Sequence, residues 1–226
     1  MVGYVGAYPV PSVISGYTAF LIGVRSVMPQ AVMKVRYTNT WASYRAEKDC
    51  AEELIQEGCI VISHHSDTIG PAVACEAASA NRPVIFVGCN QSFLDIAPAT
   101  ALLSIRINWI PYVTGAVKAV MNHQRIESYV HASVHGKNDM SAGLEDEDIL
   151  EFLDLNLNLA ANGTQMVMDN AAAILKKDPS VAFQGPYTGT NPEDPSDTIS
   201  LENGYIENLN SSAPSFHYIL DGIIEV

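Results

Sequence analysis

Five short apolar runs, each followed at once by aromatic or hydrogen-bonding side chains, constrain most strongly what this chain can fold into. Helix-like segments separate the first four runs, a pattern typical of parallel strands in right-handed βαβ units. The sequence therefore predicts an α/β fold, a parallel sheet with flanking helices. The predicted strands cover residues 2–7, 32–37, 59–62, 84–87 and 102–107.

The side chains that follow these runs form one predicted rim. In open α/β sheets a ligand binds beyond the carboxyl ends of the strands, where these side chains would converge. Aromatic rings mixed with amides, imidazoles and a carboxylate favour a flat, polar small molecule. The candidate ligand-binding residues are Tyr8, Asn39, Trp41, His65, Ser66, Asp67, Asn90 and Trp109.

Composition and short motifs exclude several classes of partner. The chain carries 12 Lys and Arg against 25 Asp and Glu, a net charge of -13 that argues against nucleic acid. No stretch reaches the ~18 apolar residues of a membrane span, and the N-terminus lacks a signal-peptide pattern. Glycine-rich phosphate loops and zinc-binding patterns are absent, so we expect no cofactor and no metal. The four cysteines have no C-x-x-C spacing and are interpreted as buried free thiols.

Helical periodicity links the predicted strands. The first helix begins near Pro9 and Pro11 and stops at Pro29. The second runs from about Ser43, a plausible N-cap, to Glu57, and a third covers about residues 69–81. The charged side chains of the second helix are expected to form a solvated face. They are Arg45, Glu47, Lys48, Glu52 and Glu53.

Beyond Trp109 the pattern changes, which divides the chain into a ligand-binding lobe, residues 1–109, and a second region, residues 110–226. The second region begins with a predicted helix over 111–123. It continues with a strand at 129–135, a mixed segment at 149–159, a helix over 163–177, a surface segment at 186–214 with room for a hairpin, and an apolar run at 216–224.

Trp41 and Trp109 each follow a predicted strand, so both rings should lie at the edge of the sheet. One interpretation is that each ring caps the sheet. The other is an aromatic platform for a planar ligand, since stacking on a base is worth ~1–3 kcal/mol. Two such residues on one sheet favour a shared planar ligand.

The run His64-His65-Ser66-Asp67 is the densest polar cluster. Adjacent histidines point to opposite faces of an extended chain and rarely bind one metal ion. A catalytic triad is assembled in space rather than by adjacency, so hydrogen bonding to a ligand is the favoured interpretation. The alternative for Asp67 is that it caps the following helix.

Asn90 follows Gly88 in the turn after the fourth strand, and two interpretations stay open. An asparagine tolerates left-handed backbone and could simply close this turn. Its amide could equally offer a donor and an acceptor to a ribose or a base edge.

The same residues carry a resemblance to the BMP (basic membrane protein) family of solute-binding lipoproteins of ABC importers, several of which bind purine nucleosides. The resemblance covers most of residues 1–126 and reappears in patches to the end. The segments that carry it are Tyr8-Pro9-Val10-Pro11, Asn39-Thr40-Trp41, His65-Ser66-Asp67, Gly88-Cys89-Asn90, Ala97-Pro98, Asn108-Trp109, Pro111-Tyr112, Phe183-Gln184-Gly185-Pro186, His217-Tyr218 and Asp221-Gly222.

The resemblance implies the second lobe of a type I periplasmic-binding fold, in which two α/β lobes close over a ligand. Trp41 would stack on the base, and His65, Ser66 and Asp67 would line the cleft. Asn90 stands where members often place an Asp that holds the ribose, which leaves the ligand open. The chain starts where the family's second lobe starts, so the first lobe, the signal peptide and the lipid-anchor Cys are expected to be missing.

These inferences predict a non-catalytic protein that captures a nucleoside-like solute for an ABC permease. Within the family it would be extracytoplasmic and membrane-anchored. A sensory or regulatory ligand-binding domain of the same fold is the alternative, and an enzyme centred on His65 and Asp67 is a third. Without the first lobe, the apolar side chains of the predicted helix near residues 111–123 would be exposed to solvent, and this would favour homo-oligomers.

Overall fold

The computed structural model describes residues 1–126, 150–153, 155–207 and 214–226. A seven-stranded sheet has the order β10-β2-β1-β3-β4-β5-β6, and a small sheet has the order β8-β7-β9. The strands are β1 Val2–Gly6, β2 Met33–Tyr37, β3 Val61–His65, β4 Ile85–Cys89, β5 Ala101–Ile107, β6 Leu150–Leu153, β7 Thr188–Asn191, β8 Asp194–Ser200, β9 Ile219–Leu220 and β10 Ile223–Glu225. The α-helices are α1 Pro11–Val27, α2 Tyr44–Gln56, α3 Gly70–Ala78, α4 Ile110–Met121 and α5 Thr164–Lys177, and a 3-10 helix spans Pro179–Phe183.

The predicted parallel α/β fold is confirmed. Strands β1 to β5 pair in parallel, and β10 adds a parallel strand beside β2, while β6 runs antiparallel to β5. All five predicted runs form strands. The third differs in position, because β3 starts at Val61 and extends to His65, which pairs with Gly6. The two histidines are therefore the last residues of the strand rather than the loop beyond it.

Alternation along the strands builds a core on each face of the sheet. Val2 and Tyr4 of β1 pack with α1 on one face. On the other face, Val5 of β1 packs with Ile62 and Phe86 beneath α2 and α3. Helices on both faces of a mostly parallel sheet are the arrangement that the sequence predicts.

Local signals set the helix ends where the sequence predicts them. Helix α1 has Pro11 at its first position, where a missing N–H is tolerated. Ser43 caps α2, because its hydroxyl accepts a hydrogen bond from the backbone N–H of Ala46 at 3.4 Å. The predicted solvated face of α2 is wrong at Glu47, which is fully buried. Glu47 lies one helical turn before Ala51, on the face that packs against the sheet.

The second region contains the predicted helices as α4 and α5, and β7 and β8 pair as a hairpin within residues 186–214. The final apolar run supplies β9 to the small sheet and β10 to the main sheet. The predicted strand at 129–135 lies outside the described residues. Within the described part of the chain, no helix is both long enough and apolar enough to cross a membrane.

Candidate functional site at the carboxyl edge of the sheet

The order of the strands reverses at β1, which lies between β2 and β3. Chain crossovers leave such a point in opposite directions, and this opens a crevice at the carboxyl ends of the strands. Tyr8 follows β1, Trp41 follows β2, and His65 ends β3. The fold therefore brings these three side chains to its switch point, although they are far apart in the sequence.

The ring of Trp41 contacts the rings of both Tyr8 and His65. The ring centroids of Trp41 and Tyr8 are 5.9 Å apart with planes inclined at 59°, and those of Trp41 and His65 are 6.0 Å apart in an edge-on arrangement at 70°. Trp41 is 39% exposed, and both of its neighbours are partly buried. An indole held on two sides and open to solvent on another can receive a flat ligand.

Backbone hydrogen bonds fix the loop that carries Trp41. The N–H of Thr38 donates to the carbonyl of Gly6 at 3.0 Å, and the hydroxyl of Thr38 donates to the carbonyl of Thr40 at 2.6 Å. The N–H of Asp67 donates to the carbonyl of Trp41 at 2.8 Å. The loop after β2 is thus tied to β1 and to the loop after β3. Asn39, within this loop, adopts left-handed backbone with φ of 55° and is exposed.

His65 offers a neutral imidazole to this crevice. Burial lowers the pKa of His65, an effect that the carboxylate of Asp67 partly opposes. A neutral ring presents one donor and one acceptor nitrogen. Gly16 of α1 leaves room for this ring, because a Cβ atom at Gly16 would lie 3.2 Å from His65 Nδ1 and 3.2 Å from the hydroxyl of Tyr4.

Asn90 closes the turn after β4. Its φ is 69°, and its N–H donates to the carbonyl of Ile105 at 2.7 Å, so the left-handed interpretation of this residue is confirmed. The residue is exposed, which leaves its amide available to a ligand. Both interpretations of Asn90 are therefore compatible.

Ser66 and Asp67 point in different directions. Ser66 is buried, and its hydroxyl donates to Glu47 at 2.7 Å. Asp67 is exposed beside the crevice. The interpretation of Asp67 as a helix cap is wrong, because α3 has no side-chain cap and the hydroxyl of Thr68 accepts the N–H of Gly70 at 3.2 Å.

Glu47 is the residue of this neighbourhood that the sequence analysis missed. Its carboxylate accepts hydrogen bonds from the N–H of Ser43 at 3.1 Å, the hydroxyl of Ser66 at 2.7 Å and the N–H of Thr68 at 3.1 Å. A signal was present, because residues 47, 51, 54 and 55 share one face of α2 and the last three are apolar. A charge on the apolar stripe of a helix indicates a paired, buried group.

Trp109 has a different environment at the far end of the same edge. It precedes α4, is 62% exposed, and makes an edge-on contact with Tyr112 at 6.2 Å between centroids. Three strands separate β2 from β5, and four strand spacings amount to roughly 19 Å. A ligand shared by Trp41 and Trp109 stays a prediction.

Several polar side chains beneath the crevice are engaged with one another. The hydroxyl of the buried Ser66 donates to the buried carboxylate of Glu47. Among the residues that the structure describes, no group of three or more His, Cys, Asp or Glu side chains is placed to hold a metal ion.

A family model described as "ABC transporter substrate-binding protein PnrA-like" (Bmp) matches residues 1–181. A purine-binding protein of Brucella abortus is 32% identical over 120 residues, which is 53% of this chain and 33% of that protein. A Haloferax volcanii protein, provisionally named an ABC transporter glucose-binding protein (TsgA13), is 40% identical over 79 residues. These are 35% of this chain and 20% of that protein. The chain thus spans a third or less of the curated relatives it matches.

Two solved structures share the fold. An ABC transporter solute-binding protein from Conexibacter woesei superposes with a TM-score of 0.56 at 18% identity, over 79% of this chain and 55% of that chain. A transcriptional activator of the comK gene from Bacillus halodurans superposes with a TM-score of 0.57 at 15% identity, over 79% and 56%. At these identities the likeness concerns the fold alone.

Proposed function

Because this chain belongs to the Bmp family of PnrA-like ABC transporter substrate-binding proteins, we propose that it binds a nucleoside-like solute for import through an ABC permease. The observation that carries this proposal is the placement of Trp41 between Tyr8 and His65 at the switch point of the sheet. A purine is flat, and its stacking on such a ring is worth ~1–3 kcal/mol. The purine-binding relative from Brucella abortus supports the same ligand class.

The polar residues around Trp41 would recognise the rest of the ligand. The neutral ring of His65 supplies a donor and an acceptor, which suits the edge of a base. Asp67 is an exposed carboxylate that can accept hydrogen bonds from ribose hydroxyls, and Asn90 carries an exposed amide on the neighbouring strand end. Ser66 is buried and would support the site indirectly, through the hydrogen bond that its hydroxyl donates to Glu47.

A further lobe, the first lobe of the family's fold, would complete the site. A ligand stacked on Trp41 at this edge keeps its other face in solvent, and binding sites for small molecules usually bury most of the ligand. The solved relatives are longer than this chain, which covers 55% and 56% of them. We expect a closing lobe to supply the opposite wall, and the affinity of this chain alone to be lower.

Binding without turnover is the activity that the crevice favours. The family model describes transporter substrate-binding proteins, which supports import over the regulatory alternative. A protein of this kind acts outside the cytoplasm, held at the membrane next to its permease. Incubation with inosine followed by chromatography should return intact inosine, and free base or a deaminated product would contradict this part of the proposal.

Titration calorimetry with inosine, adenosine, guanosine and glucose tests the ligand class. We expect heat of binding with purine nucleosides that exceeds any with glucose, the sugar in the name of the Haloferax relative. Trp41→Ala should weaken nucleoside binding about 30-fold, through the loss of the stacking surface. Phe152→Ala is the matched control, since Phe152 is an exposed aromatic residue on β6. Equal binding by wild type and Trp41→Ala would contradict the proposed site.

A further inference from the structure

We propose that a buried chain of hydrogen bonds, from the backbone N–H of Cys89 through His64 and Ser66 to Glu47, positions the ligand-contacting loops at the carboxyl edge of the sheet. This chain of bonds is called the relay below. It deepens the proposed function, on which its role in ligand binding rests. Glu47, Ser66 and His64 are positioning residues, because they act through their exposed neighbours.

The directions of the hydrogen bonds are set by chemistry. A carboxylate only accepts, so the single hydrogen of the Ser66 hydroxyl goes to Glu47 at 2.7 Å. The oxygen of Ser66 must then accept from Nδ1–H of His64 at 3.4 Å, and Nε2 of His64 accepts the N–H of Cys89 at 3.3 Å. Every member donates in the same direction, and only one tautomer of His64 fits.

The relay is shielded from water. His64 is 1% exposed, and Ser66 and Glu47 are likewise buried. The rings of Phe86 and Phe93 lie 5.4 Å and 5.3 Å from the ring of His64. Desolvation lowers the pKa of His64 to about 3, so the imidazole stays neutral at physiological pH. A buried polar group that loses its partner destabilises its surroundings, so the members of the relay hold one another in place.

The relay connects three loops. Glu47 accepts the N–H groups of Ser43 and Thr68, which belong to the loops after β2 and β3. At its other end, His64 accepts the N–H of Cys89, next to Asn90 after β4. Bonds that run from α2 across β3 to β4 fix the spacing of these loops relative to one another.

Three candidate ligand-binding residues are direct sequence neighbours of the relay. His65 lies between His64 and Ser66, Asp67 follows Ser66, and Asn90 follows Cys89. In β3 the side chains of His64 and His65 point to opposite sides of the sheet, whereas Asp67 and Asn90 lie in the bends that follow β3 and β4. Each buried bond therefore fixes the backbone next to a candidate ligand-binding side chain, and this explains why two histidines end an otherwise apolar strand and a serine and an aspartate follow it.

The relay is tested in a Trp109→Phe background, in which Trp41 is the remaining tryptophan of the two in the chain. The variants are Glu47→Gln and Ser66→Ala. Glu52→Gln is the matched control, a Glu on the same helix whose partner is Lys48. Acrylamide quenching of Trp41 without ligand, titration with inosine, and far-ultraviolet circular dichroism are measured for each protein.

Both relay variants should fold, raise the quenching constant of Trp41 about twofold, and weaken inosine binding about tenfold, since hydrogen bonds to a charged group are at stake. Glu52→Gln should change neither quantity. If the relay variants only lower the melting temperature, with quenching and binding as in the control, the relay is structural and the proposal is overturned. If Glu47→Gln fails to fold, Ser66→Ala decides the outcome.

Two further readouts separate this proposal from the ligand assignment. A wild type that binds no inosine would contradict the proposed function, while the quenching data would still decide whether the relay positions Trp41. Nitrogen-15 spectra of the imidazoles should show His64 as the Nδ1–H tautomer without titration between pH 5 and 8. The Nε2–H tautomer, or titration of His64 in that range, would overturn the relay.

Discussion

The burial of side chains in helices α2 and α4 is the opposite of what the composition of each helix suggests. α4 is rich in valine, yet its buried residues are the small Gly115 and Ala119, while its large apolar side chains are exposed. α2 is rich in charged residues, yet it buries Leu54, Ile55 and even the carboxylate of Glu47. Burial is set by the surface that a helix meets rather than by its own hydrophobicity. α2 meets the sheet and α3, whereas α4 follows β5 and forms no comparable apolar core with the residues that the structure describes.

The two tryptophans follow the same division. Trp41 precedes α2 in a loop that hydrogen bonds tie to two other strand ends, and Trp109 precedes α4 with one edge-on aromatic contact. One local signal, a tryptophan after a strand, thus leads to a supported ring at one end of the sheet edge and an exposed ring at the other. Four predictions test this difference between the two regions.

The largest expected effect is on folding stability. Leu54→Ala in α2 should lower the free energy of unfolding by about 3 kcal/mol, because it leaves a cavity at a fully buried site. Val117→Ala in α4 should change it by no more than about 0.5 kcal/mol, because Val117 is 51% exposed. Urea titrations of both variants provide the test. Equal losses would mean that α4 is as well packed as α2.

The second effect concerns ligand binding. Trp41→Ala should weaken binding of inosine about 30-fold, equivalent to about 2 kcal/mol, through the loss of a supported stacking surface. Trp109→Ala should weaken it by about threefold or less, because this ring lies four strand spacings away. Calorimetry on both variants measures the ratio. Similar losses would show that one ligand spans both rings.

The third effect is a pH dependence of folding stability that arises from His64 in strand β3. His64 has its pKa lowered to about 3 by burial, so the folded chain does not bind the proton that the unfolded chain binds below pH ~6.5. Stability from this group is therefore present above pH ~6.5 and declines as the pH falls. Between pH 7 and pH 5 the wild type should lose about 2 kcal/mol more than His64→Asn.

Urea unfolding of the two proteins at pH 7 and pH 5 measures this difference. Parallel pH profiles for wild type and His64→Asn would contradict the buried, neutral assignment. The buried residues of α4, Gly115 and Ala119, carry no ionisable group, so no comparable dependence is expected from that helix.

The last prediction concerns self-association of the chain, and its expected effect on folding stability is the smallest of the four. The exposed side chains Val113, Val117 and Val120 recur at three- and four-residue spacing and form one apolar stripe on α4. We expect wild type to self-associate through this stripe, and Val117→Lys to shift the sedimentation coefficient towards the monomer while stability changes by less than about 0.5 kcal/mol. Lys118→Glu, a charge change beside the stripe, is the control. A monomeric wild type would contradict the expectation.

Much of the fold could be predicted from the sequence because its signals are local. Five apolar runs, the first four of them separated by helical periodicity, predict the strands of a parallel sheet, and Ser43 and Pro11 mark helix starts that the structure confirms. The candidate residues at the strand ends could be found in the same way, because a residue that follows a parallel strand must lie at the carboxyl edge of the sheet.

The relations among those residues were decided by tertiary structure alone. The contact of Trp41 with Tyr8 and His65 depends on β1 lying between β2 and β3, and the sequence does not state which strands are neighbours. The periodicity of α2 places Glu47 on the apolar face of its helix, but only the tertiary structure supplies the donors from a different strand end that stabilise its carboxylate, the hydroxyl of Ser66 and the N–H of Thr68. Sequence periodicity determines which side of an element faces inward, whereas long-range packing determines what that side meets.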